Sequence, residues 1–544
     1  MAKAFIRGLQ GDDPHHLKVA ATPKHFAVNN VETDRTTTIA QISTQSLREY
    51  FLPVFKKSIV DAGAASLMTA YNGVNGVPSS VNKELLTDLL RNEWGFDGVV
   101  VTDVEAPRFL KDRHHFVRSY TEGAAFLINS GVDLLSDTGE WSGYLVTAVR
   151  KGMLTEERLN RSLSRILTLR FRLGMFDPVE IAPHATISAG ANGSPGHLDL
   201  ALEAALESIV LLKNDPPAHS VDKAKLLPLD STRLRSIAVL GPYANVAQLG
   251  GYSGPPMKKP VTPLQGIRRK LGNMVKILHE GDMASVAACD AVIIVVGLNS
   301  GIEGEGKDRA DLGLPPGQED YVRRIARMNP RTVVVLQNGS PVAVDQLRRY
   351  VPVIVETWYS GEQGGNALAD VLFGDYNPAG RLPITFYGSE SRIPPMNDYE
   401  VSMGRTYMYF SGNPPYPFGH GLSYTGFEYS DLAVNTEGSS GSEKVMVNVD
   451  VKNGEDSGGD EVVQLYVRTG QTKPRGPLKR LAGFRRIHLD KGEKRRVAFA
   501  VASEDVSFWD EKQNKYVREP GKLEVLVGAS SEDIRLRGDF ALAH

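Results

Sequence analysis

Four repeats of a strand-like segment followed by a helix-like segment fill the first 178 residues, and this alternation limits the fold more than any other feature. The strand-like segments are LKVAATPKHFAV, SLMTAYN, FDGVVVTD and VDLLSD. Short connections of this kind imply parallel strands joined by right-handed crossovers. A closed (β/α)8 barrel needs eight such repeats and about 250 residues. Residues 1–178 therefore hold either part of a barrel or four repeats that close in another way.

Shifts in composition divide the rest of the chain. Residues 179–198 are rich in Gly, Ser, Ala and Pro and are interpreted as a linker. Residues 199–387 contain the apolar runs SIVLLK, SIAVLG, AVIIVVG, TVVVLQN and PVIVETW, which are typical of a buried parallel sheet. Residues 388–426 form a connector rich in Pro, Gly and aromatic residues. From residue 427 to 544 the pattern alternates with period two, which predicts an antiparallel β-sandwich of immunoglobulin-like type.

Charge and cysteine content exclude several classes of protein. The net charge of −2 argues against a nucleic-acid partner, because such proteins carry a strong basic bias. The single cysteine, Cys289, excludes intramolecular disulfides and Cys-rich metal sites. No apolar run is long enough for a membrane span, so no membrane partner is expected. The first residues, MAKAFIRGLQGDDP, lack the apolar core of a signal peptide, and the compartment stays unassigned.

Asp103 stands just beyond the apolar run VVV, with only Thr102 between them. An isolated Asp at the end of a strand is most often a turn or cap residue. In a parallel α/β barrel, however, the carboxyl ends of the strands carry the active site, so an acid there is also a catalytic candidate. Glu105, two residues on, has the same chemistry and is the local competitor.

Motifs along the whole chain resemble glycoside hydrolase family 3, and they occur in the order of that family. The motifs WGFDGVVVTD, KHFAVNNVETDR, MTAYNGVNGVP and LGMFDP resemble its catalytic barrel. ALEAALESIVLLKND, GEGKDRADLGLPPGQ, GEQGGNALADVLFGDYNPAGRLPITF and YPFGHGLSYTGFEYS resemble its α/β sandwich and the connector after it. The last region resembles its fibronectin type III-like domain. The resemblance implies a multidomain α/β plus β protein: the C-terminal half of a (β/α)8 barrel, an α/β sandwich and a fibronectin type III-like β-sandwich.

The same resemblance implies a retaining exo-β-glycosidase that releases terminal β-D-glucosyl or β-D-xylosyl residues from oligosaccharides. Such an enzyme needs two carboxyl groups with different tasks, and no metal or cofactor. Asp103 aligns with the family's nucleophile, although Val104 stands where the family often has an aromatic residue or Cys. Glu305, in the segment EGEGKDR, is the expected general acid and base, with Glu303 as the alternative. Lys307 and Arg309 are expected to hold this loop through ion pairs with its acids.

Three further residues are expected to bind substrate. Lys24 and His25 resemble a Lys-His pair that binds sugar hydroxyls in the first subsite. Neighbouring residues on a strand point to opposite faces, so we expect an irregular backbone here, either a bulge or a cis peptide bond. Tyr71 aligns with a residue beside the nucleophile, and we expect its hydroxyl group to donate a hydrogen bond to the Asp103 carboxylate.

Two pairs of residues suggest less. His114 and His115 are interpreted as loop residues, because adjacent histidines seldom bind one metal ion. Trp358 and Tyr359, just before GEQGG, suit either stacking on a sugar or packing at the edge of the sheet.

A second hypothesis follows from the expected absence of the first barrel strands from this chain. The chain would then be an inactive remnant that binds sugars, or a fragment. An active form would need its barrel completed by a second copy in a homo-oligomer or by a separate chain. Preference for glucose or xylose stays open, because the residues that sense the difference are expected largely in the absent strands.

Overall fold

The computed structural model describes residues 1–13, 15–254, 259–437, 444–454, 457–469, 476–518 and 521–542. The chain divides into two compact units. The first comprises Met1–Ala189 with Pro395–Val401 and Trp509–Lys515, and the second contains the remainder. Each unit is described by itself.

Parallel pairing organises the first unit. In its described residues, Phe26 bridges Thr69 in parallel, and Ser66–Met68 pairs in parallel with Val99–Val101. The last residue of that strand bridges Leu134, again in parallel. The chain therefore lays extended segments side by side in sequence order, as in a β/α barrel, and their carboxyl ends share one edge. A smaller sheet adds Ile39–Ala40, Gly73–Val74 and Val77–Pro78.

The strand predicted over residues 17–28 is mostly irregular, and only Phe26 pairs within it. One reason is Pro23, which has no N–H to donate to a ladder. The peptide bonds Lys24–His25 and Phe26–Ala27 are both cis. The irregular backbone expected at Lys24–His25 is thus present.

Helices follow the parallel segments in the first unit, and particular residues cap their ends. The Asn82 side chain accepts a hydrogen bond from the Leu85 N–H at 3.2 Å, which is the contact of an N-cap. Gly131 ends its helix with a positive φ of 122°. The helices are Ala2–Gln10, Thr44–Ser46, Leu52–Lys56, Ala106–Asp112, Tyr120–Ser130, Trp141–Arg150 and Glu156–Arg172, with wider turns over Leu47–Phe51, Lys57–Asp61 and Glu84–Glu93 and a short 3₁₀ turn at Ser79–Val81.

The second unit contains the predicted α/β sheet. Within the described ranges it has six strands in the spatial order Val210–Asn214, Val353–Glu356, Thr332–Gln337, Ala291–Gly297, Ser236–Leu240 and Lys276–Leu278. All neighbours are parallel except the first pair, which is antiparallel. The central residues are buried on both faces, which explains their unbroken apolar runs. The edge strand Lys276–Leu278 was not predicted.

Helices flank this sheet on both faces. They are Pro195–Ser208, Pro263–Leu271, Met283–Ala287, Gln318–Met328, Leu347–Tyr350 and Gly364–Leu372, with Thr406–Tyr409 in the connector and single 3₁₀ turns at Ala189–Ala191, Ser231–Arg233, Gly361–Gln363, Glu390–Arg392, Val401–Met403 and Ser503–Val506. No helix in the part of the chain that the structure describes is long and apolar enough to cross a bilayer.

The C-terminal region is the predicted antiparallel sandwich. One sheet contains Phe427–Glu437, Lys444–Asn453 and Lys494–Val501, and the other contains Arg480–Leu489, Gly459–Arg468, Gly521–Gly528 and Ile534–Leu542. Two short strands, Ser507–Asp510 and Lys515–Arg518, complete the described elements. Alternate residues are buried, for example Val445, Val447, Val449 and Val451. The predicted fold class is therefore confirmed in its barrel-like, α/β and sandwich parts.

Candidate active site

Asp103 lies two residues beyond the strand Val99–Val101, at the carboxyl edge of the barrel-like sheet. The residue is only 6% exposed. Its Oδ1 accepts a hydrogen bond from the Val104 N–H at 2.8 Å. Thr102 is fully buried, and its hydroxyl oxygen accepts from the Ser136 N–H at 2.9 Å, which ties this strand end to the next segment. The backbone therefore holds one oxygen of the carboxylate directly and fixes the strand end that carries it.

His25 faces the second oxygen of that carboxylate. Its Nε2 lies 3.2 Å from Asp103 Oδ2, and both side chains are largely buried. His25 therefore lies beside the nucleophile candidate. Lys24, on the other side of the cis bond, is exposed.

Tyr71 supports the backbone beside Asp103 and not its carboxylate. The Tyr71 hydroxyl group donates to the Val104 carbonyl at 2.8 Å. We expected it to donate to the Asp103 carboxylate, so its partner is instead the backbone of the next residue. The ring of Tyr71 packs against Phe109 with 5.6 Å between centroids. On its other side, the Arg35 guanidinium lies 4.9 Å from the ring centroid.

Two polar residues near this strand edge were not assigned roles from the sequence. His114 Nε2 lies 2.8 Å from the Tyr71 carbonyl oxygen, and burial lowers the pKa of this imidazole. Asn72 is buried, and its amide donates to the carbonyls of Ala27 and Val28 at 3.3 and 3.2 Å. The position of Asn72 in MTAYNGVNG, next to Tyr71, was the available signal.

Glu105 has a different environment from Asp103. Its side chain is about half exposed, at 47%, and its carboxylate lies 3.5 Å from the Arg108 guanidinium. Its φ is 64°, at the turn before the helix Ala106–Asp112. This geometry favours a turn and surface role for Glu105.

The second candidate carboxylate, Glu305, lies in the second unit on the loop after the strand Ala291–Gly297. The Lys307 N–H donates to the Gly304 carbonyl at 3.1 Å, which closes a tight turn with Glu305 inside it. Gly306 has a φ of 76°, a conformation that glycine adopts readily. Glu305 is exposed, and its carboxylate accepts a hydrogen bond from the Tyr252 hydroxyl group.

Glu303 accepts three hydrogen bonds, whereas Glu305 is exposed. Its Oε1 accepts from the Gly339 N–H and from the Tyr359 hydroxyl group, each at 2.5 Å. Its Oε2 accepts from the Ser340 hydroxyl group. Both oxygens of the Glu303 carboxylate therefore act as acceptors. The structure therefore separates the two acids of the EGEG segment by environment.

The expectation that Lys307 and Arg309 pair with acids of the loop is wrong. Lys307 donates to the carbonyl of Gly301 at 3.1 Å. Arg309 donates to the Ser340 hydroxyl oxygen at 3.0 Å, the Pro341 carbonyl at 2.6 Å and the Gly313 carbonyl at 3.0 Å. Carbonyl groups of the loop itself bind both cations, and Arg309 also reaches Ser340 and Pro341, which the local sequence does not indicate.

Glu356 is a fully buried acid that was not singled out from the sequence. It ends the strand Val353–Glu356 and accepts from the Asn338 side chain at 2.9 Å and the Trp358 N–H at 2.8 Å. Burial raises the pKa of this carboxyl group to about 8, and the nearby Glu303 charge acts in the same direction. Tyr359 binds Glu303, whereas the Trp358 ring packs edge-on against Phe386.

No cluster of three or more His, Cys, Asp and Glu side chains that could hold a metal ion occurs among the residues that the structure describes.

Comparison with known families identifies three segments of the chain. Residues 1–169 match the glycosyl hydrolase family 3 N-terminal domain, and residues 209–424 match its C-terminal domain. Residues 461–531 match a fibronectin type III-like domain. A β-xylosidase from Formosa agariphila is 36% identical over 574 residues, covering 98% of this chain and 77% of that protein.

The chain belongs to glycosyl hydrolase family 3.

Other relatives agree with this membership. A periplasmic β-glucosidase from Salmonella typhimurium is 32% identical, and the match covers 100% of this chain and 76% of that protein. A crystal structure of β-glucosidase from Listeria innocua in complex with isofagomine superposes with a TM-score of 0.88 at 28% identity. That match covers 100% of this chain and 78% of the other. The family 3 chain is thus a glycoside hydrolase by family, and its relatives include β-xylosidases and β-glucosidases.

Proposed function

We propose that this chain is a retaining exo-β-glycosidase that releases terminal, non-reducing β-D-glucosyl or β-D-xylosyl residues from oligosaccharides. Asp103 is the nucleophile and Glu305 is the general acid and base. Lys24, His25 and Tyr71 belong to the subsite that holds the sugar.

The proposed reaction has two steps. In the first, an Asp103 carboxylate oxygen attacks the anomeric carbon while the bond to the leaving oxygen breaks, and the Glu305 carboxyl group gives its proton to that oxygen. In the second, the Glu305 carboxylate takes a proton from water, whose oxygen attacks the anomeric carbon. The ester bond to Asp103 then breaks, and both carboxyl groups return to their starting forms. Two inversions at one carbon retain its configuration, and the mechanism requires the carboxyl groups about 5–5.5 Å apart.

The position of Asp103 carries the proposal. A buried carboxylate beyond a parallel strand, inside the segment that matches the family's N-terminal domain, has the placement that barrel enzymes use for catalysis. Its backbone contact at Val104 and its approach to His25 hold it in one orientation. A nucleophile needs this fixed orientation, because small displacements from the reacting carbon are costly in rate.

The contrast between the two acids of the loop supports Glu305 in the second role. A general acid must hold a proton and deliver it to the substrate. Glu303 is occupied by three donors, whereas Glu305 stands exposed in its turn. The Glu305 carboxylate accepts a hydrogen bond from Tyr252, a residue that is itself 86% exposed.

An assay of the purified chain with nitrophenyl β-glucoside and β-xyloside tests the proposal. We expect nitrophenol release that is lost in Asp103→Asn, and the faster substrate identifies the sugar. Proton NMR of the first sugar formed should show the β-anomer before mutarotation. An α-anomer as the first product would refute retention, and activity that persists in Asp103→Asn would refute the nucleophile.

A second candidate, sugar binding without turnover, is favoured by the sheet itself. The described residues of the first unit provide four parallel segments, whereas a closed (β/α)8 barrel has eight. Titration of the same sample with glucose or xylose, followed by intrinsic fluorescence, distinguishes this candidate. Saturable binding without hydrolysis supports it. Native mass measurement of an active sample tests the further proposal that a second copy or a separate chain completes the barrel.

A further inference from the structure

The turn that contains Glu305 is exposed and rich in glycine. Glu305 and its neighbours Gly304, Gly306 and Lys307 are all exposed. Two of these four residues are glycines, which contribute no side chain to packing. An acid in such a turn needs a connection to a rigid element, because a displacement of about 1 Å from a reacting atom can cost about 10²-fold in rate.

Glu303 provides a connection to the central sheet. Its three donors, Gly339, Ser340 and Tyr359, follow the neighbouring parallel strands Thr332–Gln337 and Val353–Glu356. One carboxylate therefore joins the loop to the carboxyl ends of two adjacent strands. Hydrogen bonds to an ionised carboxylate are about twice as strong as neutral ones.

The contact surface is shaped to accept this carboxylate. A Cβ atom on Gly339 would lie 3.2 Å from Glu303 Oε1 and 3.1 Å from the Tyr359 ring, so a larger residue would crowd the bond. Arg309, on the other side of the turn, binds the same Ser340 hydroxyl group. Both ends of the turn are thus fastened at one strand end.

We infer that Glu303 is a positioning residue for general acid catalysis, whose carboxylate fastens the Glu305 turn to the ends of the two strands. The inference rests on the proposed function, in which Glu305 is the acid. It assigns the paired acids of the EGEG segment to separate tasks, one holding the turn and one transferring the proton.

Leaving groups of different basicity test this role more sharply than overall activity. A dinitrophenolate leaves without a proton, whereas an alkoxide leaving group needs one, so loss of general acid catalysis affects the alkyl glycoside selectively. We expect Glu303→Ala to lower kcat/KM, which reports the first step alone, about 10²-fold on a methyl β-glycoside and less than about fivefold on the dinitrophenyl β-glycoside. Glu303→Gln should fall between Glu303→Ala and the unmodified chain. Asp311→Asn, a carboxyl-to-amide change on the same loop, is the matched control and should stay within about twofold on both.

A purely structural role predicts a different pattern. If Glu303→Ala lowers kcat/KM equally on the methyl and the dinitrophenyl β-glycoside, or on neither, the inference is overturned. If that variant does not unfold cooperatively, Tyr359→Phe replaces it, because this change removes one of the three donors. We expect Tyr359→Phe to show the same selectivity at about five- to tenfold, and equal effects on both substrates would contradict the inference.

Glu305→Gln, measured in parallel, separates this inference from the proposed function. Selective loss in Glu305→Gln but not in the Glu303 variants overturns the inference alone. Selective loss in the Glu303 variants but not in Glu305→Gln makes Glu303 the acid and overturns both.

Discussion

The two carboxyl groups proposed for catalysis are held by different kinds of structure. Asp103 is buried just beyond a parallel strand, and its carboxylate is held by the N–H of the next residue, Val104, and by the approach of His25. Glu305 is exposed in a glycine-flanked turn, and its position depends on contacts made by Glu303 and Arg309. A strand end fixes a side chain through the fold itself, whereas a loop needs dedicated anchors.

This difference matches the two proposed tasks. A nucleophile remains in one ionisation state until it attacks, so burial and a fixed orientation suit it. An acid and base gives up a proton in one step and takes one from water in the next, so it needs access to solvent. The comparison predicts that substitutions near Asp103 act on all substrates, whereas those near Glu305 act according to the leaving group.

The largest expected effect is that of Asp103→Asn, and Glu105→Gln is its matched control. Each variant replaces one carboxyl group by an amide. Asp103→Asn should lower kcat by about 10⁴-fold or more, because it removes the attacking group. Glu105→Gln should stay within about twofold, because that side chain is half exposed beside Arg108. Initial rates on the dinitrophenyl β-glycoside measure both.

Exchange of these two outcomes would move the nucleophile to Glu105 and refute the argument from the strand end. Circular dichroism of both variants, superposable on that of the unmodified chain, establishes that the comparison is between folded proteins.

A smaller effect is expected where Arg309 anchors the turn. Arg309→Lys keeps the charge but loses the planar fork that binds the carbonyls of Pro341 and Gly313 together. We expect kcat/KM on the methyl β-glycoside to fall about tenfold and kcat/KM on the dinitrophenyl β-glycoside to change little. Arg323→Lys, on the helix Gln318–Met328, is the control and should be silent. Equal losses on both substrates would show that Arg309 stabilises the fold without orienting Glu305.

Most of the fold could be predicted because burial imposes local patterns. The strand AVIIVVG, at 291–297, is buried on both faces and therefore apolar throughout, and Lys444–Asn453 alternates because one face is solvated. The edge strand Lys276–Leu278 escaped prediction because it is short and partly exposed, so it has no such pattern.

The site could be predicted only in its principal groups. Asp103 was found because the motif around VVVTD resembles the family's nucleophile segment, whereas Glu356, in PVIVETW, also ends an apolar run but was passed over. The partners of Tyr71 and Arg309 could not be predicted. The Val104 carbonyl bound by Tyr71 and the Pro341 carbonyl bound by Arg309 lie 33 and 32 residues away in the chain, and only the folded arrangement brings them together.

The smallest effect on activity, and a specific one on stability, is expected from Glu356. Burial raises the pKa of its carboxyl group to about 8 from a usual value of 4.5. The folded chain thus binds a proton that the unfolded chain has released between these values. The contribution of Glu356 to the free energy of unfolding is then complete below about pH 4.5 and lost as pH rises through about 8.

Glu356→Gln removes the titrating group while it keeps nearly the same size. The melting temperature of this variant, relative to that of the unmodified chain, should therefore rise progressively when both are measured at pH 5, 7 and 9. Glu280→Gln, at an exposed position, is the control, and its difference should stay constant over the same range. A difference that is also constant for Glu356→Gln would mean that Glu356 is ionised in the folded chain at neutral pH. Its charge would then lie close to that of Glu303, and the anchor of the Glu305 turn would contain two carboxylates where the present assignment has one.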